Sequence, residues 1–346
     1  MGFQRRHTGP RRLTSLEIST KMEASNSTPL PYEDYSPGVW QCSPIGTNDF
    51  GRTFLPPFYY IIFIISILGN GVVLLVVHKF EKMNTITNIF LINLVASNII
   101  FTLTLPFYAV YHSSEWIFGE PMCKLVTSAY YLGFYSSILF LTLMTFDRYL
   151  AVVHCIMANS QRRSIYAASL SVAVWIISLL ASLEYLIYFT VEESQVGGLS
   201  CNDPRVGEWK TFALYKQFVL FFLFPLVVFV YCYSRITLTV MHTRMVKKHH
   251  TIRVIFVTVL MFFVFWSPYN IVLVMREYKD PNDCNSNLPH AVYVTNNVAR
   301  LYFCINPVFY IFLGRKFQNR VREMCLKQDS CLTRQICGGR SIGSSS

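Results

Sequence analysis

The side chains able to do chemistry in this sequence are few and grouped. Asp147-Arg148-Tyr149 sets a carboxylate beside a guanidinium at the end of an apolar run, Glu184 and Arg300 lie inside two others, and tyrosines punctuate the runs at 59, 108, 130 and 269. Ion pairs and hydroxyl-tipped rings suit recognition and switching. The polar segments contain no metal-ligand cluster, nucleophile elbow or phosphate loop, so the sequence predicts neither an enzyme nor a bound metal or cofactor. A charge inside an apolar run is expensive and usually in use, which makes Glu184 and Arg300 the sharpest candidates.

What must position these groups follows from the apolar runs themselves. The chain has 346 residues, 53% hydrophobic and only 14% charged, against roughly 25% charged in a soluble globular protein. The charges flank long uncharged runs: 26 residues between Arg52 and Lys79, 32 between Lys82 and Glu115, and 22 between Lys124 and Asp147. Runs of 20 (Ser164 to Leu183), 18 (Gln217 to Ser234) and 22 (Val254 to Met275) follow. A bilayer core takes about 20 apolar residues per helix. With a seventh run from about His290 to Phe312, apolar except for Arg300, the prediction is an all-α membrane protein: a seven-helix bundle over 57–313. Residues 1–56 form an outer tail, and 314–346 form a short amphipathic eighth helix (Arg315 to Met324) and a cytoplasmic tail.

Orientation comes from the Lys/Arg bias of the connecting segments. Segments 78–87, 147–163, 234–253 and 314–346 hold 17 basic and 4 acidic residues, a net charge of about +13. Segments 22–56, 111–124, 188–216 and 276–289 hold 7 basic and 13 acidic residues, about −6. The first set is therefore cytoplasmic and the N-terminus extracellular, as in a multi-pass plasma-membrane protein. The overall charge of +11 then speaks for anionic lipid headgroups and an intracellular partner, with no nucleic acid required. Residues 1–21 lack an apolar signal-peptide region, and a start at Met22 would make them an upstream extension. Asn26-Ser27-Thr28 is a glycosylation sequon on the outer side. Beside it, Tyr32 and Tyr35 sit among carboxylates, a context for sulfation in a tail that should order only on binding.

Four of the ten cysteines, Cys42, Cys123, Cys201 and Cys284, fall on the oxidising outer side, where an even set implies disulfides. Three pairings are possible. Cys123 with Cys201 would pin the large outer loop over the helix mouth, and Cys42 with Cys284 would tie the tail to the last outer loop.

Residues inside the spans carry a resemblance. Gly69-Asn70, Asp147-Arg148-Tyr149, Trp175, Pro225 and Tyr233, Trp266-Ser267-Pro268, and Asn306-Pro307 to Tyr310 occur in order and in successive spans; together they resemble the class A G-protein-coupled receptors. Thr104-Leu105-Pro106, Trp116 to Gly119, the run from Asp147 to His154 and Trp266 to Asn270 resemble the chemokine receptors in particular. Thr87 to Phe90, Leu141 to Thr145 and Asn306 to Gly314 are most similar to the XC type, with the CC type as the alternative.

That resemblance implies a receptor whose outer face takes a basic chemokine and whose inner face activates a heterotrimeric G protein of the inhibitory class and meets arrestin. It implies a mouth lined by Tyr59, Tyr108, Tyr130 and Tyr269. Trp266 beside the Pro268 kink would be the switch, and Arg148 would leave Asp147 on activation to approach Tyr233 and Tyr310. Two departures stand out. Where many relatives carry a Glu in span 7, this chain has Asn296, with Arg300 at i+4 on the same helical face; Arg300 should face the bundle, pairing with a carboxylate or reading an anionic ligand group. Arg300 also occupies the place of the retinal-linking lysine of opsins, and a guanidinium that stays protonated forms no Schiff base. Where most class A receptors hold sodium on an Asp, this chain has Asn98 near Ser137 and Asn306, so sodium should bind poorly. An unaltered Asp147-Arg148-Tyr149 argues against a decoy receptor that binds without coupling, and the lack of an internal repeat argues against a transporter.

Overall fold

A computed structural model describes residues 47–80, 85–154, 160–193, 197–205, 207–243, 249–278 and 288–313. The expected elements at Asn26, Tyr32, Tyr35, Cys42 and Cys284 and the eighth helix lie outside the described residues, as does the side chain of Tyr310. Seven long helical segments follow one another: α1 (Thr47–Phe80), α2 (Ile86–Ser113), α3 (Gly119–Val153), α4 (Ser160–Tyr188), α5 (Glu208–Phe218, continuing through a π turn at Val219–Leu223 into Phe224–Thr243), α6 (His249–Glu277) and α7 (Leu288–Leu313). Six are apolar and long enough to cross a membrane; α7, which carries Arg300, packs against α6 and α1 as the seventh. Leucine, isoleucine and valine face outward along α1, α4 and α5, as lipid-facing surfaces do.

Close approach of the helices rests on small residues and on shared polar groups, the usual adhesives where no water drives association. At Gly133 of α3 a Cβ would come within 2.7 Å of the Phe101 backbone nitrogen and 2.8 Å of the Ser97 carbonyl oxygen, so only glycine lets α2 lie this near. Gly69 of α1 does the same for Pro307 of α7, whose Cγ would be 2.8 Å from an added Cβ. Trp175 of α4 donates from Nε1 to the Asn93 Oδ1 at 2.9 Å, and Ser66 of α1 shares a 2.7 Å hydrogen bond with Thr102 of α2. These bonds satisfy polar groups that would otherwise meet hydrocarbon.

The outer end is closed by a hairpin. Strands β1 (Thr190–Glu193) and β2 (Leu199–Asn202) pair antiparallel with Val191 opposite Cys201. Cys201 is disulfide-bonded to Cys123 at the start of α3, with Cα atoms 5.7 Å apart; of the possible pairings, this one is formed. Trp116, fully buried, fixes the same corner: its backbone N–H donates to Leu199 O at 2.9 Å and its indole Nε1 to Gly119 O at 2.9 Å. Gly119 adopts a positive φ of 75° there, a conformation that favours glycine, so that α3 can start directly beneath the ring.

Candidate ligand cavity and switch

The outer halves of α2, α3, α5, α6 and α7 leave a cavity of about 430 Å³ of empty space, measured out to its mouth. Tyr108, Tyr130, Tyr269, Asn296 and Arg300 line it, with Trp266 among them; five of the residues named from sequence for ligand contact thus converge. Tyr59 is not part of the lining. It is fully buried and supports the cavity wall: its hydroxyl accepts a hydrogen bond from Arg300 Nη1 and donates to Asn297 Oδ1.

Arg300 faces the bundle as expected, 7% exposed, and among the described residues it forms no ion pair. Its guanidinium carbon lies over three rings, 5.1 Å from the centroid of Tyr59, 4.9 Å from Tyr108 and 5.3 Å from Tyr130. The negative faces of aromatic rings attract a cation, most strongly when both are removed from water. Of the two fates expected for Arg300, pairing with a protein carboxylate is therefore not what the structure places here.

Glu184 lies apart from that cavity. It accepts from Lys216 Nζ at 2.5 Å and pairs with Arg205 at 3.3 Å, while Arg205 also pairs with Asp203 at 2.6 Å. The hydrogen-bonded Asp203 carboxylate holds the Arg205 guanidinium above its ordinary pKa. The cluster joins α4, the hairpin's exit and α5, and it neutralises Glu184 with protein cations. Glu184, named from sequence for ligand contact, sits at the outer end of α4 as expected, with its charge paired within the protein and outside the lining of this cavity.

Beneath the cavity the aromatic rings continue. Trp266, 1% exposed, stacks on Phe134 with centroids 4.2 Å apart and lies 6.3 Å from Phe303. Phe134, Thr127, Tyr131, Phe189 and Gln217 also line the cavity; sequence reasoning missed them. Phe134 was legible as the residue one helical turn below Tyr130 on α3, whereas Gln217 and Phe189 depend on how α5 and the hairpin return over the mouth.

In the middle of the bundle Ser137 Oγ donates to Asn98 Oδ1 at 3.1 Å, and Asn98 Nδ2 donates to Asn70 Oδ1 at 3.2 Å. Both ends of the Asn98 amide are engaged by neutral partners. Asn306 is fully buried close by in sequence to Pro307.

At the inner end Asp147 and Arg148 are paired at 3.0 Å, and Thr87 Oγ1 donates to Asp147 Oδ2 at 3.3 Å. Tyr149 meets His154 Nε2 at 2.9 Å and Tyr231 at 3.4 Å. Tyr233 is buried, with its ring against Phe229 at 4.6 Å and Phe256 at 5.0 Å. Pro268 falls within α6 and Pro307 within α7, each removing a backbone donor where a helix can bend. The guanidinium is thus held by its neighbour, and Tyr233, one of the two tyrosines expected to receive it, is packed among phenylalanines.

Residues 69–310 match the model of the family described as 7 transmembrane receptor (rhodopsin family). The chain is 38% identical over 317 residues to a protein of Mus musculus described as probable C-C chemokine receptor type 3, covering 88% of this chain and 87% of that one. It is 35% identical over 315 residues to C-C chemokine receptor type 3 of Cavia porcellus, covering 89% and 87%. The chain belongs to the rhodopsin family of seven-transmembrane receptors, multi-pass plasma-membrane signalling proteins rather than enzymes, and within it to the chemokine receptors.

Proposed function

We propose that the protein binds a basic chemokine at its acidic outer face and, through the cavity and Trp266, activates a heterotrimeric G protein of the inhibitory class for chemotactic signalling. The observation that carries this is the coexistence of an open, tyrosine-rich cavity directly above Trp266 with a paired Asp147–Arg148 at the other end. Ligand-side packing and partner-side charge lie on one set of helices. An agonist that prefers a displaced Trp266 shifts the population toward the conformer in which Arg148 is released. The outer net charge of about −6 and inner net charge of about +13 give the field the sign needed to steer a basic ligand to one side and to hold lipid and transducer on the other. Arrestin is the second expected cytoplasmic partner.

The ligand class is taken as CC. Two relatives named as C-C chemokine receptor type 3, matched over more than 310 residues, support that reading; short stretches such as Thr87 to Phe90 resemble the XC type, and a panel of both ligand classes separates the two. A decoy role is the weaker reading because Asp147-Arg148-Tyr149 is unaltered.

The test is a panel of CC and XC chemokines applied to cells expressing the full chain, read as calcium and cyclic AMP responses with Arg148→Ala as control. A response that disappears in the control supports coupling; chemokine binding with no response in either form moves the protein to the decoy class. With the Asn98 amide engaged on both sides by neutral partners among the described residues, agonist binding in membranes should be indifferent to sodium; strong inhibition by sodium would refute that part.

A further inference from the structure

Among the described residues, the cavity has one cation, Arg300, and no acidic group to neutralise it. A guanidinium carries five N–H donors. Its Nη1 donates to Tyr59, while its Nε–H is buried without a hydrogen-bond partner. The three tyrosine faces attract the cation without cancelling its charge, and burying a cation with a donor unmade is costly unless something completes it. Glu184, the other charge inside an apolar run, is already held by Lys216 and Arg205.

We infer that the cavity receives a carboxylate, which docks on Arg300 and leaves the rest of its carrier against the aromatic wall of Tyr108, Tyr130 and Tyr269. A carboxylate matches the planar fork of a guanidinium with two parallel hydrogen bonds, and Asn296 adds a side-chain amide to the same cavity. An amine placed there would meet an unneutralised cation. This deepens the receptor reading, since it assigns the polarity of the group that enters the mouth, but it does not depend on which protein delivers that group: the carboxylate belongs either to an acidic side chain in the chemokine's N-terminal segment or to a small free acid.

The probe is phenylacetate, compared with phenylacetamide, phenethylamine and sodium chloride at equal concentration, in thermal unfolding of the full-length receptor in detergent. Phenylacetate should raise the midpoint and the other three should not. In Arg300→Gln its apparent affinity should fall at least about tenfold, the scale of one charge-assisted hydrogen bond; in Arg300→Lys, which keeps the charge and loses the fork, the preference for phenylacetate over phenethylamine should remain. Equal stabilisation by the amine or by chloride, or an unchanged response in Arg300→Gln, overturns the inference. If Arg300→Gln does not fold, the ranking of the four probes on the wild type and Arg300→Lys decides. The source is resolved on cells with a chemokine active in the panel: replacing its N-terminal Asp and Glu by amides weakens it about tenfold on the wild type and not on Arg300→Gln if the chemokine carries the carboxylate. If that potency is unchanged while phenylacetate blocks the response, the carrier is a small acid. A silent chemokine panel sinks the receptor reading and leaves the phenylacetate result to stand or fall by itself.

Discussion

Two charged centres lie within the outer part of the bundle, and they are stabilised in opposite ways. Around Glu184 charge meets charge: Lys216 and Arg205 pair with it, Asp203 pairs with Arg205, and each of the four side chains is at most 21% exposed. Around Arg300 charge meets rings and the hydroxyls of Tyr59 and Tyr130. The first arrangement is closed, because every formal charge has an opposite within contact distance. The second is open, because aromatic faces hold a cation in place yet leave it able to take an anion. The pair therefore separates a brace between α4, the hairpin exit and α5 from a recognition group, a distinction that residue type and depth in the span do not reveal.

The comparison breaks most visibly at the brace. Glu184→Ala leaves Lys216 and Arg205 without their common carboxylate in a mostly buried setting, and removing one partner of such a pair costs about 3 kcal/mol. Thermal unfolding in detergent should show a large drop in midpoint together with reduced surface expression. Were Glu184→Ala as stable as wild type, the cluster would be a solvated surface network and not a brace. A smaller effect follows from Tyr59→Phe, which keeps the ring over Arg300 and deletes only the hydroxyl. Arg300 Nη1 and Asn297 Oδ1 lose their shared partner, a change of about 1–2 kcal/mol, read by the same unfolding measurement. A null result there would mean that the rings and the Tyr130 hydroxyl hold the guanidinium without it.

How much of this was legible before the structure depends on whether a feature is local to one helix. The seven spans, their orientation and the inward face of Arg300 follow from charge spacing and from the cost of a cation in hydrocarbon, both of which are properties of single segments. The Cys123–Cys201 bond was one of three pairings until Trp116 and the hairpin placed both sulfurs at one corner. Glu184 and Arg300 looked like a matched pair of unusual charges, and the sequence carries no term that would separate them. Their partners, Arg205 in the outer loop and Tyr59 some 241 residues from Arg300, are set by how the loop and α1 return to the bundle. Tertiary packing decides which charge is answered by charge.

The finest test uses two tyrosines at nearly identical distances from a guanidinium. Tyr108 lies 4.9 Å beneath the Arg300 guanidinium and Tyr188 lies 4.8 Å beneath that of Arg205. If ring and cation were all that mattered, Tyr108→Leu and Tyr188→Leu would cost the same. Arg205 already has two carboxylates and Tyr188 is 45% exposed, so its ring adds little to a cation that water and charge both solvate; Tyr188→Leu should stay within about 0.5 kcal/mol of wild type. Arg300 has no carboxylate partner among the described residues, and each of its three rings carries part of the burden of holding a desolvated cation. Tyr108→Leu should cost about 1 kcal/mol, and the loss should shrink when phenylacetate is present, since the bound anion then supplies the attraction that the ring had given. Equal and phenylacetate-independent losses at the two positions would show that Arg300 and Arg205 occupy equivalent environments, and the division between an open and a closed charge would have to be abandoned.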